Sequence, residues 1–169
     1  LVVDDTPANL RLLNELLTGN GYLVRPVPDG RLAVSSARAA TPDLVLLDIR
    51  MPGMSGYEVC QELKADERTR DVPIIFISAL HDVVDKVKAF ELGGVDYITK
   101  PFQSEEVLSR VKTHITMRTL QKRLQEKNAQ LSGEIAGRKK VEAALRTSEQ
   151  QQRELNASKD RFFSILAHD

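Results

Sequence analysis

Tryptophan is absent from this chain, and cysteine occurs once, at Cys60. A lone thiol excludes a disulfide framework and a thiolate metal site, and in an amphipathic stretch it reads as a small buried residue. Aromatics make up only 5% of the residues, which suits a small aliphatic core or an extended helix. Charge of one sign is lacking too: Lys+Arg and Asp+Glu balance at 24 each, so nothing draws the whole chain to nucleic acid or acidic lipid. No apolar run approaches the roughly 20 residues that span a bilayer. No signal peptide opens the sequence, so a cytoplasmic location is expected, without a membrane span or a nucleic-acid partner. A Gly-rich ATP-binding segment is also missing. The 169 residues suffice for one domain and an appendage. Leu1 runs directly into an apolar strand and Asp169 closes a helical pattern midway, so a piece of a longer protein is expected.

Two halves follow different rules. Up to about Lys112, short apolar runs alternate with amphipathic stretches. The runs Leu1–Asp4, Tyr22–Pro26, Leu44–Asp48, Ile74–Ser78 and Val95–Ile98 are too short for helices. Their Val, Ile and Leu content fits strands buried on both faces. Between them, Leu10, Leu13, Leu16 and Leu17 share one helical face, and Val59, Cys60 and Leu63 share another. Val84, Val87 and Leu92 do so more loosely. Thr6-Pro7 marks a helix entry with Pro at the first helical position, and Gly19-Asn20-Gly21 ends that helix. Such alternation predicts an α/β fold, a doubly wound parallel sheet of five strands covered on both sides.

Beyond Lys112, proline does not occur, turn clusters vanish, and Gln, Glu, Lys and Arg dominate. With Met117, Leu124, Leu131, Leu145 and Leu166 as heptad a positions, Leu120, Val141, Leu155 and Phe162 fall at d. Nine of sixteen core positions are then apolar. Arg138, Gln152, Lys159, Lys127, Glu134, Ser148 and Asp169 occupy the rest. A long C-terminal helix forming an imperfect coiled coil is predicted, and hence a homodimer; a solvated single helix is the alternative. Gly133 and Gly137 each weaken the helix by roughly 1 kcal/mol against Ala.

The chemistry lies at the strand ends. In a doubly wound sheet, sites form beyond the carboxyl ends of the strands. The first strand ends in Asp4-Asp5, the third in Asp48 and the fourth in Ser78-Ala79, while Thr99-Lys100-Pro101 follows the fifth. Each has an ordinary reading: a cap for Asp5, a turn residue for Asp48, a turn hydroxyl for Ser78, a surface charge for Lys100. Together they place three carboxylates, a hydroxyl and an ammonium on one sheet edge. Crowded carboxylates raise one another's pKa, a conflict that a hard divalent cation removes. Mg²⁺ suits the task, since it takes few protein carboxylates and keeps waters and phosphate oxygens. Phosphoryl transfer needs an in-line nucleophile and positive charge around the equatorial oxygens. Asp48 can be that nucleophile, with Mg²⁺ held by Asp5 and Asp48 and assisted by Asp4. Lys100 and the Ser78 hydroxyl would meet the other oxygens.

The segments Leu1–Asp5, Leu46–Gly56, Phe76–Ala79 and Asp96–Phe102 resemble the receiver domains of two-component response regulators. The resemblance covers roughly residues 1–115. It implies a flavodoxin-like sheet of order 2-1-3-4-5, with Asp48 as phosphoacceptor and Asp4 and Asp5 as the acidic pair. It further implies Mg²⁺ held in addition by the backbone carbonyl of Arg50, Ser78 and Tyr97 as a coupled switch pair, and a cis peptide before Pro101. The small Ala79 would leave room for phosphate, though Tyr97 could simply be a packing residue. An upstream histidine kinase or phosphotransfer protein is the implied partner.

A second, shorter resemblance divides the remainder. Gly137–Arg146 resembles the linker coils ahead of bacterial sensor outputs, so residues 116–157 are expected to be a signalling linker. Ser158–Asp169 resembles the start of the dimerisation and phosphotransfer helix of histidine kinases, which would make His168 a phosphorylation site and Asp169 its helper. His81 and His114 read as ordinary histidines. A phosphatase with an Asp nucleophile would carry a second Asp two positions on, where this chain has Arg50. Two readings remain beside the kinase one: a dead receiver serving only dimerisation, and an output such as a nucleotide cyclase.

Overall fold

The computed structural model describes residues 1–79 and 83–166, omitting the side chains of 79, 83–86, 162, 163, 165 and 166. Strands β1 (Val2–Val3), β2 (Pro26–Val27), β3 (Val45–Asp48), β4 (Ile74–Ala79) and β5 (Asp96–Lys100) alternate with helices α1 (Pro7–Gly19), α2 (Gly30–Ala39), α3 (Gly56–Ala65), α4 (Val83–Glu91) and α5 (Ser104–Leu166). All neighbouring strands pair in parallel, and the sheet order is β2-β1-β3-β4-β5. This is the expected doubly wound, flavodoxin-like fold with a long C-terminal helix.

Period-two alternation sends successive strand residues into two separate cores. Val3, Val45, Leu47, Ile74 and Phe76 join Ala33, Val34, Val59, Cys60, Leu63 and Ala89, so α2, α3 and α4 cover one face. Val2, Leu46, Ile75, Ile77 and Ile98 join Leu13, Leu17, Val107 and Val111, so α1 and α5 cover the other. With both faces buried, each run reads as continuously apolar rather than alternating.

Local signals fix the helix ends. Pro7 opens α1, and its end is a Schellman motif: Gly21 at φ +84° donates to Thr18, and Tyr22 donates to Leu17. Asp29 caps α2 through the Leu32 amide. Ser55 and Glu58 form a reciprocal capping box at the start of α3. Two expectations are corrected. The second strand is Pro26–Val27 rather than Tyr22–Pro26, because the Tyr22 amide is engaged by the α1 terminus and the β1 register selects Pro26 and Val27. The fifth strand extends through Lys100, so Tyr97 is its second residue rather than near its end.

Helix α5 enters two compact units, Leu1–Leu120 and the segment from Gln121 onward. Within the first unit, Arg118 donates to the backbone carbonyl of Asp71, tying α5 to the loop before β4. In the second unit the heptad positions Met117 and Leu120 are continued by Leu124, Leu131, Val141, Leu145 and Leu155, all between 53% and 70% exposed. Among the described residues, no helix is long and apolar enough to cross a membrane.

Candidate functional site

The carboxyl edge of the sheet assembles its side chains from four strands. Asp4 follows β1 and is fully buried, Asp48 ends β3 at 5% exposed, and Asp5 faces solvent. One carboxylate oxygen from each of Asp4, Asp5 and Asp48 lies within 4.8 Å of the others. Lys100, on the last residue of β5, bridges two of them: its Nζ donates to Asp4 Oδ2 and Asp48 Oδ2, each at 2.8 Å. The next peptide bond, Lys100–Pro101, is cis, as the resemblance implied.

Electrostatics follow from burial. Desolvation pushes the Asp48 carboxyl above the ordinary aspartate range, against the pull of Lys100 and of the Arg50 backbone N–H. Burial alone would depress Lys100, but its bonds to Asp4 and Asp48 outweigh that and raise its pKa. Three carboxyl groups thus meet one ammonium here. Hard oxygen donors such as those of Asp5 and Asp48, with Asp4 behind them, fit Mg²⁺.

Ser78 lies at the end of β4, buried, and its hydroxyl has no hydrogen-bond partner among the described residues. A buried hydroxyl so placed can donate to a ligand oxygen. Tyr97 sits two residues before Thr99, the register partner of Ser78. Its ring packs edge-on against Phe90 at 6.1 Å, with the Arg110 guanidinium 5.8 Å from its centre. Arg50 lines an open depression of about 550 Å³ with Asp5, Met51, Pro52, Ser55 and Tyr57, beside the carboxylates. His168 and Asp169 lie outside the described residues.

One contact escaped the sequence reading. Asn9, in the first turn of α1, donates to both oxygens of Asp4, at 3.1 and 3.0 Å. Only its position one helical turn beyond Thr6-Pro7 hinted at this, since a polar residue there reads as solvated.

Gly56 underpins the site from below. A Cβ there would lie 2.2 Å from the backbone carbonyl of Asp48, and its amide donates to Ile49. Gly56→Ala must therefore shift the end of β3. We expect a loss of roughly 1–3 kcal/mol, as for an overpacked core. A urea midpoint equal to that of the unaltered chain would refute the close approach.

The sequence matches the response regulator receiver domain family over residues 1–112. It is 42% identical over 112 residues to the DNA-binding dual master transcriptional regulator RpaA of Synechocystis, covering 66% of this chain and 46% of that protein. The receiver domain of the sensor histidine kinase PA1611 from Pseudomonas aeruginosa, solved with a magnesium ion coordinated in its active-site cleft, is 35% identical with a TM-score of 0.64. That match covers 68% of this chain and 94% of that one. The signal receiver domain of a histidine kinase from Syntrophus aciditrophicus is 36% identical, also with a TM-score of 0.64, over 68% of this chain and 87% of that one. The chain spans about half or less of the length of the curated relatives it matches.

Proposed function

Because the chain belongs to the response regulator receiver domain family, we propose that it is the phospho-accepting module of a two-component phosphorelay, with Asp48 as the acceptor. The observation that carries this reading is Lys100 bridging buried Asp4 and Asp48, with the Ser78 hydroxyl on the adjacent strand unpartnered among the described residues. A carboxylate oxygen of Asp48 attacks phosphorus. The bond to the donor, a phosphohistidine imidazole or an acetate oxygen, breaks, and its electron pair leaves with the donor. Lys100 is positioned to move from Asp48 to a phosphoryl oxygen, and Ser78 to donate to another. Asp5 and Asp48 would hold Mg²⁺, with Asp4 assisting and the Arg50 carbonyl adding a ligand, and the ion when bound would supply positive charge to the phosphoryl oxygens. The PA1611 receiver, solved with a magnesium ion coordinated in its active-site cleft, supports magnesium as the cation. Intact-mass measurement after incubation with acetyl phosphate tests the proposal: one phosphoryl group should be gained with Mg²⁺ and none with chelator. Equal gain in both would overturn the metal requirement.

Residues 1–115 form the receiver in this reading, and Ser78 and Tyr97 are its switch pair. Residues 116–157 are a signalling coil, and 158–169 begin a histidine kinase dimerisation and phosphotransfer helix. The cognate donor is a histidine kinase or phosphotransfer protein, and the setting is cytoplasmic. Receivers of two histidine kinases are among its likenesses, as are DNA-binding regulators at higher identity, so the kinase output rests on the Ser158–Asp169 resemblance alone.

The coil is proposed to pair in parallel with a second copy. Its apolar seam is more than half exposed in the single chain, and a helix without a tertiary face to bury needs a partner. Sedimentation should report a dimer at roughly tens of micromolar, a modest affinity given the polar core positions. A chain ending at Thr116 should be monomeric under the same conditions. A monomer in both cases would remove the coil from the proposal.

A further inference from the structure

We infer that Asn9 sets the cation selectivity of the carboxylate pocket, by keeping Asp4 from bonding a metal directly and so favouring Mg²⁺ over Ca²⁺. The inference rests on the Mg²⁺ reading above. Asp4 is fully buried, and both oxygens of its carboxylate accept from protein donors. Oδ1 accepts from the Thr6 backbone amide at 2.9 Å and from Asn9 Nδ2 at 3.1 Å. Oδ2 accepts from Asn9 Nδ2 at 3.0 Å and from Lys100 Nζ at 2.8 Å. An ionised carboxylate has about four acceptor positions, and these three donors occupy both oxygens, with the single Asn9 nitrogen spanning them.

These donors differ in what they can give up. The Thr6 amide is fixed by the turn into α1 and cannot leave without unwinding it. Lys100 is shared with Asp48 and is required at the phosphoryl group. Asn9 alone reaches both oxygens, and only the NH₂ end of its amide can face a carboxylate. While it stays, Asp5 and Asp48 are the carboxylates with acceptor positions open to a cation. A site with so few protein oxygens suits Mg²⁺, which is small and parts reluctantly with its waters. Ca²⁺ gathers six to eight oxygens, often with a bidentate carboxylate. Removing Asn9 opens a position on each oxygen of Asp4 and supplies the extra ligands that the larger ion seeks.

Calorimetric titration of the full chain with MgCl₂ and with CaCl₂ tests this without reference to phosphorylation. Asn9→Ala should tighten Ca²⁺ binding by roughly tenfold while Mg²⁺ affinity changes much less, on the scale at which partners of ligating groups act. Asn9→Leu, close in volume but without a donor, should reproduce the shift. A Ca²⁺-to-Mg²⁺ affinity ratio unchanged in both variants overturns the inference, as does a parallel loss of both affinities, which would make Asn9 a brace. If the unaltered chain binds neither ion, the Mg²⁺ reading fails and this inference with it.

Discussion

Asp48→Ala should gain no phosphoryl group from acetyl phosphate under conditions that label the unaltered chain to a measurable fraction. The expected effect is total because no neighbour can take over. Asp4 is buried with both oxygens committed to Thr6, Asn9 and Lys100. Asp5 is exposed, and Lys100 bonds the other two carboxylates instead. Misfolding is a poor alternative explanation for such a loss. The Asp48 carboxyl is raised above its unfolded value, chiefly by burial. Its stabilising contribution is therefore present below the unfolded pKa and is lost as pH rises through the folded one. Above the range in which Asp48 titrates, its buried charge works against folding, so Asp48→Ala should unfold there at an equal or higher urea concentration. A stable Asp48→Ala protein that still gains phosphate would move the acceptor elsewhere. Lys100→Ala should slow labelling or uncouple it from its response, since it removes the pocket's ammonium without touching the nucleophile.

The parts of this site that were readable from sequence are those that depend on strand ends. Apolar runs buried on both faces mark the strands, and a parallel sheet aligns their carboxyl ends, so Asp4, Asp5, Asp48 and Ser78 could be placed on one edge before any coordinates. The end of α1 was equally readable, since Gly19-Asn20-Gly21 admits the positive φ that Gly21 adopts. What periodicity could not reveal was register. Tyr22–Pro26 looks like a strand because Tyr22 and Val24 face a core while Leu23 points out, 103% exposed. That alternation is real, but pairing with β1 begins only at the end of the run, where Arg25 accepts from the Val2 amide and Pro26 falls in register with Val2. Likewise Lys100 looked like a residue after the strand. Its place inside β5, paired with Ala79, is set by hydrogen bonding to β4 rather than by any property of Thr99 or Lys100.

Asn9 marks a different boundary. Its significance depends on a contact between the first turn of a helix and a carboxylate five residues earlier, at the end of a strand. Sequence reports a polar residue on an amphipathic helix, and only the geometry of the turn shows that it faces inward. The C-terminal helix presents the reverse situation. Its heptad pattern was readable in the sequence, and those positions are exposed in the single chain, as they would be in a solvated helix or in one strand of a proposed coil.

The largest expected effect in the C-terminal segment falls on His168. The proposal is that Phe162–Asp169 opens a phosphotransfer helix, in which His168 receives the γ-phosphoryl group of ATP and Asp169 helps remove its proton. The warrant is sequence alone. No Gly-rich nucleotide-binding segment occurs in these residues. This chain by itself should therefore take no label from ATP. Continued past Asp169 into a nucleotide-binding kinase domain, it should autophosphorylate. The product should be acid-labile and alkali-stable, as a phosphoramidate is, whereas an aspartyl phosphate is hydrolysed by alkali. His168→Gln removes the nucleophilic ring and should eliminate the alkali-stable label. Labelling of Asp48 by acetyl phosphate should remain, because the two acceptors belong to different units of the chain. Phosphohistidine formed at the unaltered level by the His168→Gln protein would refute the kinase reading of the helix. The receiver would be untouched by that result, since it stands on Asp4, Asp5, Asp48 and Lys100.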